Sequence, residues 1–373
     1  MRTSIWHRFD WALLIATLCL VALGCVMIYS AYEVSAPTPD GAWLDNIVFR
    51  QGLFAAIGFL AYLAMAALDY RVLARASRWI YLAAMAALGA TLVIGRTAFG
   101  AQSWLDVPTF GPQPSEFVKV MVIIVLGGLL SGDKSGLESP RALALSVLAI
   151  VPPVALIYLQ PDFGTAMIVV VTWAAMAFLA GVRWQHLLVL GLLALVAVPV
   201  VWFRLEGYMR DRLFIFLTPG HDPSGASYNI NQALISIGSG GLWGKGLFRG
   251  TQTQLHFLRV RHTDFIFSVL AEELGFAGSL LLLILFVFLG LRLIRIAATA
   301  RDAFGRLLVS GVAAMILAQA FINLGMNANI LPVTGLPLPL VSYGGSSLIA
   351  TLLGLGLAQS VAMRQQPAEQ AIV

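Results

Sequence analysis

Long runs of apolar residues, separated by short polar segments, recur along the whole chain. Each run approaches the roughly 20 residues that a helix needs to cross a bilayer. The ten runs lie at residues 11–31, 47–68, 77–95, 115–131, 141–159, 163–181, 186–205, 264–294, 305–326 and 342–363. The pattern therefore predicts an all-α polytopic membrane protein with about ten transmembrane helices.

Composition agrees with this class. Of the 373 residues, 59% are hydrophobic and only 11% are charged, and the mean hydropathy is +0.87. The first run is long enough to be a permanent span and lacks the short core of a cleavable signal. We expect a single integral membrane domain over residues 1–373. The net charge of +5 is the ordinary product of basic residues flanking spans, so no nucleic-acid partner is expected.

Basic residues in the short connectors predict the orientation. They fall in alternate connectors, whereas the intervening segments 32–46, 160–162 and 327–341 contain no Lys or Arg. The basic connectors carry Arg2, Arg8, Arg71, Arg75, Arg78, Lys134, Arg141, Arg183, Arg292, Arg295, Arg301, Arg306 and Arg364. By the positive-inside rule, both termini are cytoplasmic.

One long connector, residues 206–263 between spans 7 and 8, is predicted to lie outside. Its length and basic, glycine-rich composition favour a functional role, although a solvated loop whose charges keep it out of lipid is the alternative. Its basic residues are Arg210, Arg212, Lys245, Arg249, Arg259 and Arg261.

Three acids stand at the start of the eighth run. Charge in or beside a span is costly and indicates a site. Asp264 is expected at the outer membrane edge, with Glu272 and Glu273 two to three turns deeper and Glu272 on roughly the same side as Asp264. The alternative is that Asp264 is only an N-terminal helix acid, with Thr263 as a possible cap.

Two further polar groups adjoin spans. Glu116 and Lys119 are three residues apart at the start of the fourth run and can form a pair, either in a site or as a structural ion pair. Asp162 follows Pro161 in an outer turn and can cap the sixth span. The segment 323–347 is rich in Pro, Gly and Asn, which indicates the wall of a wet or buried cavity.

Nucleotide and metal motifs are absent from the sequence. In the glycine-rich stretch 235–252, Ser239 replaces the first Gly of a P-loop and Gly246 replaces its Ser or Thr. Backbone amides there, with Lys245 or Arg249, could still contact a phosphate. His262 lies two residues before Asp264 and is expected to be structural rather than a ligand.

Taken in order, these stretches resemble the SEDS family of cell-wall proteins, which includes RodA, FtsW and SpoVE. The resemblance covers most of the chain, and GTQTQL with Pro337 makes it more similar to the elongation branch, RodA. The motifs are QPSE at 113–116, QPDFGTA at 160–166, IGSGGLWGKG at 237–246, HTDFIF at 262–267, EELG at 272–275 and LPVTGLPLPLVSYGGSS at 331–347.

The resemblance implies a peptidoglycan glycosyltransferase of the bacterial cytoplasmic membrane. Such an enzyme polymerises lipid II on the outer side and works with a class B penicillin-binding protein, a transpeptidase. Asp264 falls on the family's essential acid, and Glu116 and Lys119 fall on its polar pair. Asp162, Glu272, Glu273, His262, Ser342 and Tyr343 are expected to support the site.

Two positions depart from the family pattern. Ser103 precedes Trp104 where the family usually has Arg, which weakens any anion-binding role for that loop. Arg259-Val260 replaces the usual Pro-Glu, and Arg259 could supply a replacement cation.

The implied reaction joins the 4-hydroxyl of an acceptor GlcNAc to the anomeric carbon of a donor MurNAc and releases undecaprenyl diphosphate. Inversion by one displacement needs one general base, which we assign to Asp264. The diphosphate needs cationic stabilisation. The candidates are Lys119, Arg50, Arg210, Arg212, Lys245, Arg249 and Arg259. A divalent cation could share this role, although no carboxylate cluster would fix it.

Two other functions fit parts of the pattern. A flippase for a lipid-linked cell-wall precursor would also have many spans, buried charges and broken helices. Such a protein should line a path through the membrane midplane, whereas most polar residues here lie at the outer edge. A scaffold that only recruits other wall enzymes is the third reading, and it predicts that Asp264 substitutions are silent.

Overall fold

The computed structural model describes residues 5–32, 46–98, 101–105, 111–132, 140–186, 188–192, 195–196, 207, 210, 214, 216–217, 226–255, 257–258 and 261–365. A short 3-10 helix, Ile5–Arg8, precedes the first long helix. The α-helices are α1 Trp11–Tyr32, α2 Ile47–Ala67, α3 Tyr70–Ile94, α4 Pro114–Ser131, α5 Pro140–Leu159, α6 Phe163–Leu179, α7 Ala226–Ser239, α8 Thr251–Gln254, α9 Ile266–Ala298, α10 Ala303–Asn327 and α11 Gly345–Met363.

The predicted helical membrane fold is confirmed. Among the described residues, seven helices (α1, α2, α3, α4, α9, α10 and α11) are long and apolar enough to cross a membrane, and α5 and α6 contribute shorter apolar helices. The seventh predicted run, 186–205, is described only in part, and its described positions are helical.

Two elements depart from the simple picture of spans joined by loops. A two-stranded antiparallel hairpin, β1 Gly95–Ala98 and β2 Ala101–Leu105, follows α3 and pairs Gly95 with Leu105. The long connector 206–263 contains the helices α7 and α8. Neither element is predicted from the pattern of apolar residues, because both are short and only weakly apolar.

Helix α11 is the most deeply buried of the long helices and packs along α2. Glycines permit the close approach of these two helices. A Cβ at Gly356 would lie 2.4 Å from the backbone oxygen of Tyr62, and a Cβ at Gly58 would lie 2.4 Å from Leu352 Cδ1. The two backbones can therefore approach closely, as at small-residue interfaces in membrane proteins.

Ion pairs cluster at one end of the helix bundle, which we call the inner end. Arg292 near the end of α9 contacts Asp10 just before α1 at 2.7 Å. Arg71 contacts Asp302 at 3.0 Å, joining the starts of α3 and α10. Helices α1 and α9 therefore run antiparallel. The opposite end of the bundle, called the outer end, holds the end of α1.

Candidate active site

Helix α9 is broken at Gly275, the last residue of the EELG motif. Gly275 has φ 66° and ψ −160°, a conformation that side chains other than glycine's hydrogen rarely tolerate. The break separates a short helix, 266–274, from a longer one, 276–298. The longer part alone has about the length needed to span a bilayer.

The glycine-rich connector 240–246 docks against this break. The amides of Lys245 and Gly246 donate to the carbonyls of Glu272 and Glu273, each at 3.0 Å. In return, the amides of Phe276 and Ala277 donate to the carbonyls of residues 241 and 242 at 2.9 and 3.0 Å. The connector therefore pairs backbone groups that the break would otherwise leave unsatisfied.

The Glu272 side chain also binds the connector, through its carboxylate. It is fully buried and forms an ion pair with Lys245 Nζ at 2.8 Å. It also accepts from the Thr251 hydroxyl at 3.1 Å, the Gln252 amide at 3.0 Å and the Thr253 hydroxyl at 3.3 Å. The ammonium of Lys245 additionally contacts the Thr251 hydroxyl at 2.7 Å.

Glu273 links the same region to the outer end of α1. Its carboxylate accepts from the Ser30 hydroxyl at 2.6 Å and from the Phe248 amide at 3.2 Å. Because Ser30 lies two residues before the end of α1, Glu273 is at the outer end of the bundle. The helix is continuous from Ile266 to Leu274, so Glu272 and Glu273 follow its start by about two turns, and the break at Gly275 comes shortly after them.

Asp264 lies in a turn that precedes α9. The helix begins at Ile266, its N-cap is Phe265, and that cap has no side-chain hydrogen bond. Thr263 and Asp264 are thus outside the helix, so the predicted N-terminal helix role and the shared face with Glu272 are not observed. Asp264 is partly buried.

The backbone of this turn is held by α10. The side-chain amides of Asn323 and Asn327 donate to the Asp264 carbonyl at 3.1 and 2.9 Å. Asn327 also accepts from the Ser268 hydroxyl at 2.7 Å. Both asparagines are fully buried. The position of Asp264 is therefore fixed from outside its own segment.

A second support comes from the segment between α10 and α11. The Ser342 hydroxyl donates to the Thr263 carbonyl at 2.6 Å, and the Tyr343 amide donates to the His262 carbonyl at 2.9 Å. The ring of His262 lies between Tyr343, at 5.7 Å between ring centroids, and Tyr32, at 6.1 Å. Burial and the neighbouring charge of Arg261 lower the pKa of His262.

Arg50 lies near the aromatic rings of Tyr32, His262 and Tyr343. Its guanidinium is 6.0 Å from the ring centroid of Phe54 in α2. Burial raises the pKa of Tyr343, and the positive charge of Arg50 opposes that shift. The structure thus brings Arg50 into the surroundings of the turn that carries Asp264.

Glu116 and Lys119 form the predicted pair at the start of α4. Lys119 Nζ lies 2.9 Å from Glu116 Oε2, and both side chains are 3% exposed. Lys119 also donates to the Gln319 side chain at 2.8 Å, and Gln319 donates to the Pro337 carbonyl at 2.9 Å. The pair is therefore connected through α10 to the segment that supports Asp264.

Asp162 caps α6, as its position after Pro161 indicates. It accepts from the Thr165 amide at 3.1 Å. It also accepts from the Gln113 side chain at 2.9 Å and the Ser115 hydroxyl at 3.3 Å, which ties the cap to the start of α4. Burial raises the pKa of Asp162, and the hydrogen bond from Thr165 opposes that shift.

The described basic residues of the long connector lie in different environments. Lys245 contacts Glu272, Arg249 is exposed, and Arg210 is partly buried. Arg212 and Arg259 lie outside the described residues. Across the described ranges, no group of three or more His, Cys, Asp or Glu side chains is arranged to hold a metal ion.

The individual roles of Asn323, Asn327 and Gln319 are not predicted above, although the composition of the segment 323–347 indicates a cavity wall. The signal available was the presence of amide side chains within an otherwise apolar helix. Such groups need partners in a membrane interior.

The outer end of the bundle thus holds a carboxylate in a fixed turn, a buried ion pair and a docked connector. This arrangement defines a polytopic membrane protein with a polar site at one end of its helices. The family described as "Cell cycle protein", that of FtsW, RodA and SpoVE, matches residues 10–367. The chain belongs to this family.

Several relatives are similar over nearly the whole chain. The Peptidoglycan glycosyltransferase MrdB of Escherichia coli K12 is 39% identical over 344 residues, 92% of each chain. The Stage V sporulation protein E of Bacillus subtilis is 38% identical over 357 residues, 94% of this chain and 96% of the relative.

Two solved structures are similar in fold. One, reported under "Structural coordination of polymerization and crosslinking by a peptidoglycan synthase complex", has a TM-score of 0.82 and 35% identity, and it covers 96% of this chain and 99% of that chain. The Thermus thermophilus rod shape determining protein RodA has a TM-score of 0.72 and 35% identity, with 97% of this chain and 99% of that chain covered.

Proposed function

We propose that this chain is a peptidoglycan glycosyltransferase that polymerises lipid II into β-1,4-linked glycan strands during cell elongation. The observation that carries the proposal is the placement of Asp264 in a turn supported by α10 and by the 336–343 segment. The similarity to MrdB over 92% of the chain supports the same activity.

Asp264 acts as the general base. Displacement of an α-linked diphosphate by an acceptor hydroxyl, with inversion, requires one group that accepts the hydroxyl proton. A carboxylate suits this role when its position is fixed, because proton transfer needs hydrogen-bond reach to the nucleophile. The asparagine contacts to the Asp264 carbonyl supply such a fixed backbone.

Cations stabilise the diphosphate that is released. Arg50 is the best-placed candidate, because its neighbour Gln51 donates to the Ser342 carbonyl and accepts from the Gly344 amide in the segment that supports the Asp264 turn. Lys119 is buried and its charge is balanced by Glu116, so we assign it to fixing the surrounding segments. Lys245 is engaged by Glu272, and we assign it to holding the connector rather than to binding diphosphate.

The orientation follows from charge. The inner end of the bundle carries Arg71, Arg292 and Arg364, so we place it and both termini in the cytoplasm. The outer end then faces the wall, where polymerisation of a lipid-linked sugar takes place. The whole chain, including the connector 206–263, forms a single membrane domain of the cytoplasmic membrane.

The proposed partner is a class B penicillin-binding protein, the transpeptidase that cross-links the strands. The support is the similarity to a chain from a peptidoglycan synthase complex that coordinates polymerization and crosslinking.

The test is a gel assay of glycan strands made from purified lipid II by this protein with its cognate transpeptidase. Asp264→Asn should abolish strand formation while leaving folding and partner binding intact. Asp69→Asn is the matched control, because Asp69 caps α3 at the inner end and asparagine caps helices equally well. Wild-type rates for Asp264→Asn would rule out the base assignment. Absence of strands from the wild type, together with lipid II translocation in vesicles, would support the flippase instead.

A further inference from the structure

A cleft opens between α3, α4 and α5, away from the site at the outer end. Its volume is about 560 Å³. Helices α3 and α4 touch where Gly128 faces Ser77, since a Cβ on that glycine would lie 3.4 Å from the serine hydroxyl oxygen. The cleft is lined by Ser77, Arg78, Tyr81, Leu82, Val125, Gly128, Leu129, Leu145, Leu148 and Ala149.

The cleft lies in the inner half of the bundle. Arg78 comes eight residues after the start of α3 at Tyr70, which is about 12 Å along a helix. Leu129 comes two residues before the end of α4, and Leu145 comes five residues after the start of α5. The start of α3, the end of α4 and the start of α5 all lie on the inner side, where Arg71 contacts Asp302.

The walls of the cleft are divided by polarity. Arg78 supplies a guanidinium, and Ser77 and Tyr81 supply hydroxyl groups from the same stretch of α3. The opposite wall is made by exposed leucines of α5, of which Leu145 is 46% exposed and Leu148 is 67% exposed. A ligand that fits both walls has an anionic, hydrogen-bonding head and an apolar tail.

The charge of Arg78 is available to such a head. Arg71, on the same helix, is already paired with Asp302. Within the described part of the chain, Arg78 forms no ion pair, and its guanidinium lies 5.3 Å from the ring centroid of Trp79. A long basic side chain about 12 Å from a helix end extends toward the headgroup level while its stem lies along apolar surface.

We propose that this cleft binds one anionic diacyl phospholipid of the cytoplasmic leaflet. The phosphate contacts Arg78 with the Ser77 and Tyr81 hydroxyls, and one acyl chain lies against Leu82, Val125, Leu145 and Leu148. Anionic lipids of that leaflet are attracted to basic residues between helices on the cytoplasmic side. The inference rests on the orientation given under the proposed function and not on the transferase chemistry.

Native mass spectrometry of the full-length protein in detergent tests the headgroup contact. The protein is titrated with phosphatidylglycerol, phosphatidylcholine or a polyprenyl phosphate. We expect tight binding of one phosphatidylglycerol, weakened about fivefold by Arg78→Gln, the effect of about 1 kcal/mol for one basic residue near anionic lipid. Arg75→Gln is the matched control, because Arg75 is exposed on α3 but does not line the cleft.

A second pair of variants tests the cleft itself and keeps every charge. Ala149→Phe fills the space between the helices and should abolish the tightly bound phosphatidylglycerol. Ala83→Phe adds the same ring to an exposed position of α3 outside the cleft and should leave binding unchanged. Equal binding of phosphatidylglycerol to Arg78→Gln, Ala149→Phe and their controls would overturn the proposal. Equal binding of phosphatidylcholine, or selective binding of the polyprenyl phosphate, would also overturn it.

Discussion

Lys245 Nζ lies 2.8 Å from Glu272 Oε1, three residues before the break in α9. The lysine is 27% exposed at its side chain, whereas the glutamate is fully buried. The ion pair therefore joins a residue of the glycine-rich connector to the short helix that follows the Asp264 turn.

Glu272→Ala should destabilise the protein more than Lys245→Ala. The carboxylate accepts from Lys245 and three further donors, so its removal leaves all four without this acceptor, including the buried Thr253 hydroxyl. Breaking such a buried pair costs about 3–5 kcal/mol. Removing the lysine leaves the carboxylate with its other donors and should cost less, about 1–3 kcal/mol. Thermal unfolding of the purified variants in detergent measures the difference, and equal losses would contradict the assignment of Glu272 as the centre of this cluster.

Lys245→Gln separates a holding role from diphosphate binding. Glutamine can still donate to Glu272. If Lys245 only holds the connector, Lys245→Gln should therefore raise the KM for lipid II by at most about twofold. Lys245→Ala, which removes the donor, serves as the comparison and should lose stability. A Lys245→Gln protein with wild-type stability and a KM raised more than about tenfold would instead indicate contact with the diphosphate.

Gly275→Ala should prevent correct folding of the outer end. A Cβ there would lie 2.3 Å from the backbone nitrogen of Gly244, and the positive φ adds strain of about 1–3 kcal/mol. Gly89→Ala is the control, since a Cβ at that helical position meets no atom within 4 Å. This substitution should be neutral or stabilise α3 by up to about 1 kcal/mol. Expression and monodispersity in detergent report both outcomes, and a monodisperse, wild-type-like Gly275→Ala protein would show that the break tolerates a side chain.

The helices that could be predicted are those whose existence depends on local composition. The run 47–68 corresponds to α2 Ile47–Ala67, and the pairing of Glu116 with Lys119 follows from their spacing on α4. Both rest on hydropathy and helical geometry, which act over a few residues.

The break at Gly275 could not be predicted in this way. The residues on both sides are helical in pattern and, apart from Glu272 and Glu273, mostly apolar, so the sequence reads as one continuous span. What stabilises the break is the connector 240–246, which lies about 30 residues earlier and supplies the missing backbone partners. The support of Asp264 by Asn323 and Asn327 depends in the same way on tertiary contacts.

His262 should make stability fall in mild acid. Burial and Arg261 lower the pKa of His262 below its ordinary value of 6.5, so the unfolded chain binds a proton more readily than the folded one. The stability that neutral His262 contributes is fully present above pH 6.5. It is lost as the pH falls from there toward the lowered pKa of His262 in the folded protein. Thermal unfolding between about pH 5 and 8 measures it.

His262→Phe is the matched variant for this pH dependence. Phenylalanine preserves a ring between Tyr32 and Tyr343 but cannot be protonated. The variant should lose part of the acid-induced decrease in stability while remaining folded at pH 7.5. An unchanged pH profile would assign the decrease to other groups.

Asn327→Asp should lower the turnover of lipid II more than it changes KM. The substitution keeps the shape of the side chain and the acceptor for the Ser268 hydroxyl, but it replaces the amide that donates to the Asp264 carbonyl at 2.9 Å with an oxygen. The turn that carries the proposed base then loses one of its two asparagine donors. A misplacement of about 1 Å costs about 100-fold in rate, so we expect kcat to fall by between about tenfold and 100-fold.

Ser268→Ala is the control for this positioning role, because it removes the contact between the serine and Asn327 but leaves the donor to Asp264 in place. It should cost about 1 kcal/mol of stability and change kcat by less than about threefold. Strand synthesis from lipid II, measured at saturating and limiting substrate, separates kcat from KM in both variants. If Asn327→Asp and Ser268→Ala lose kcat equally, the asparagine acts through general packing rather than through the carbonyl of Asp264.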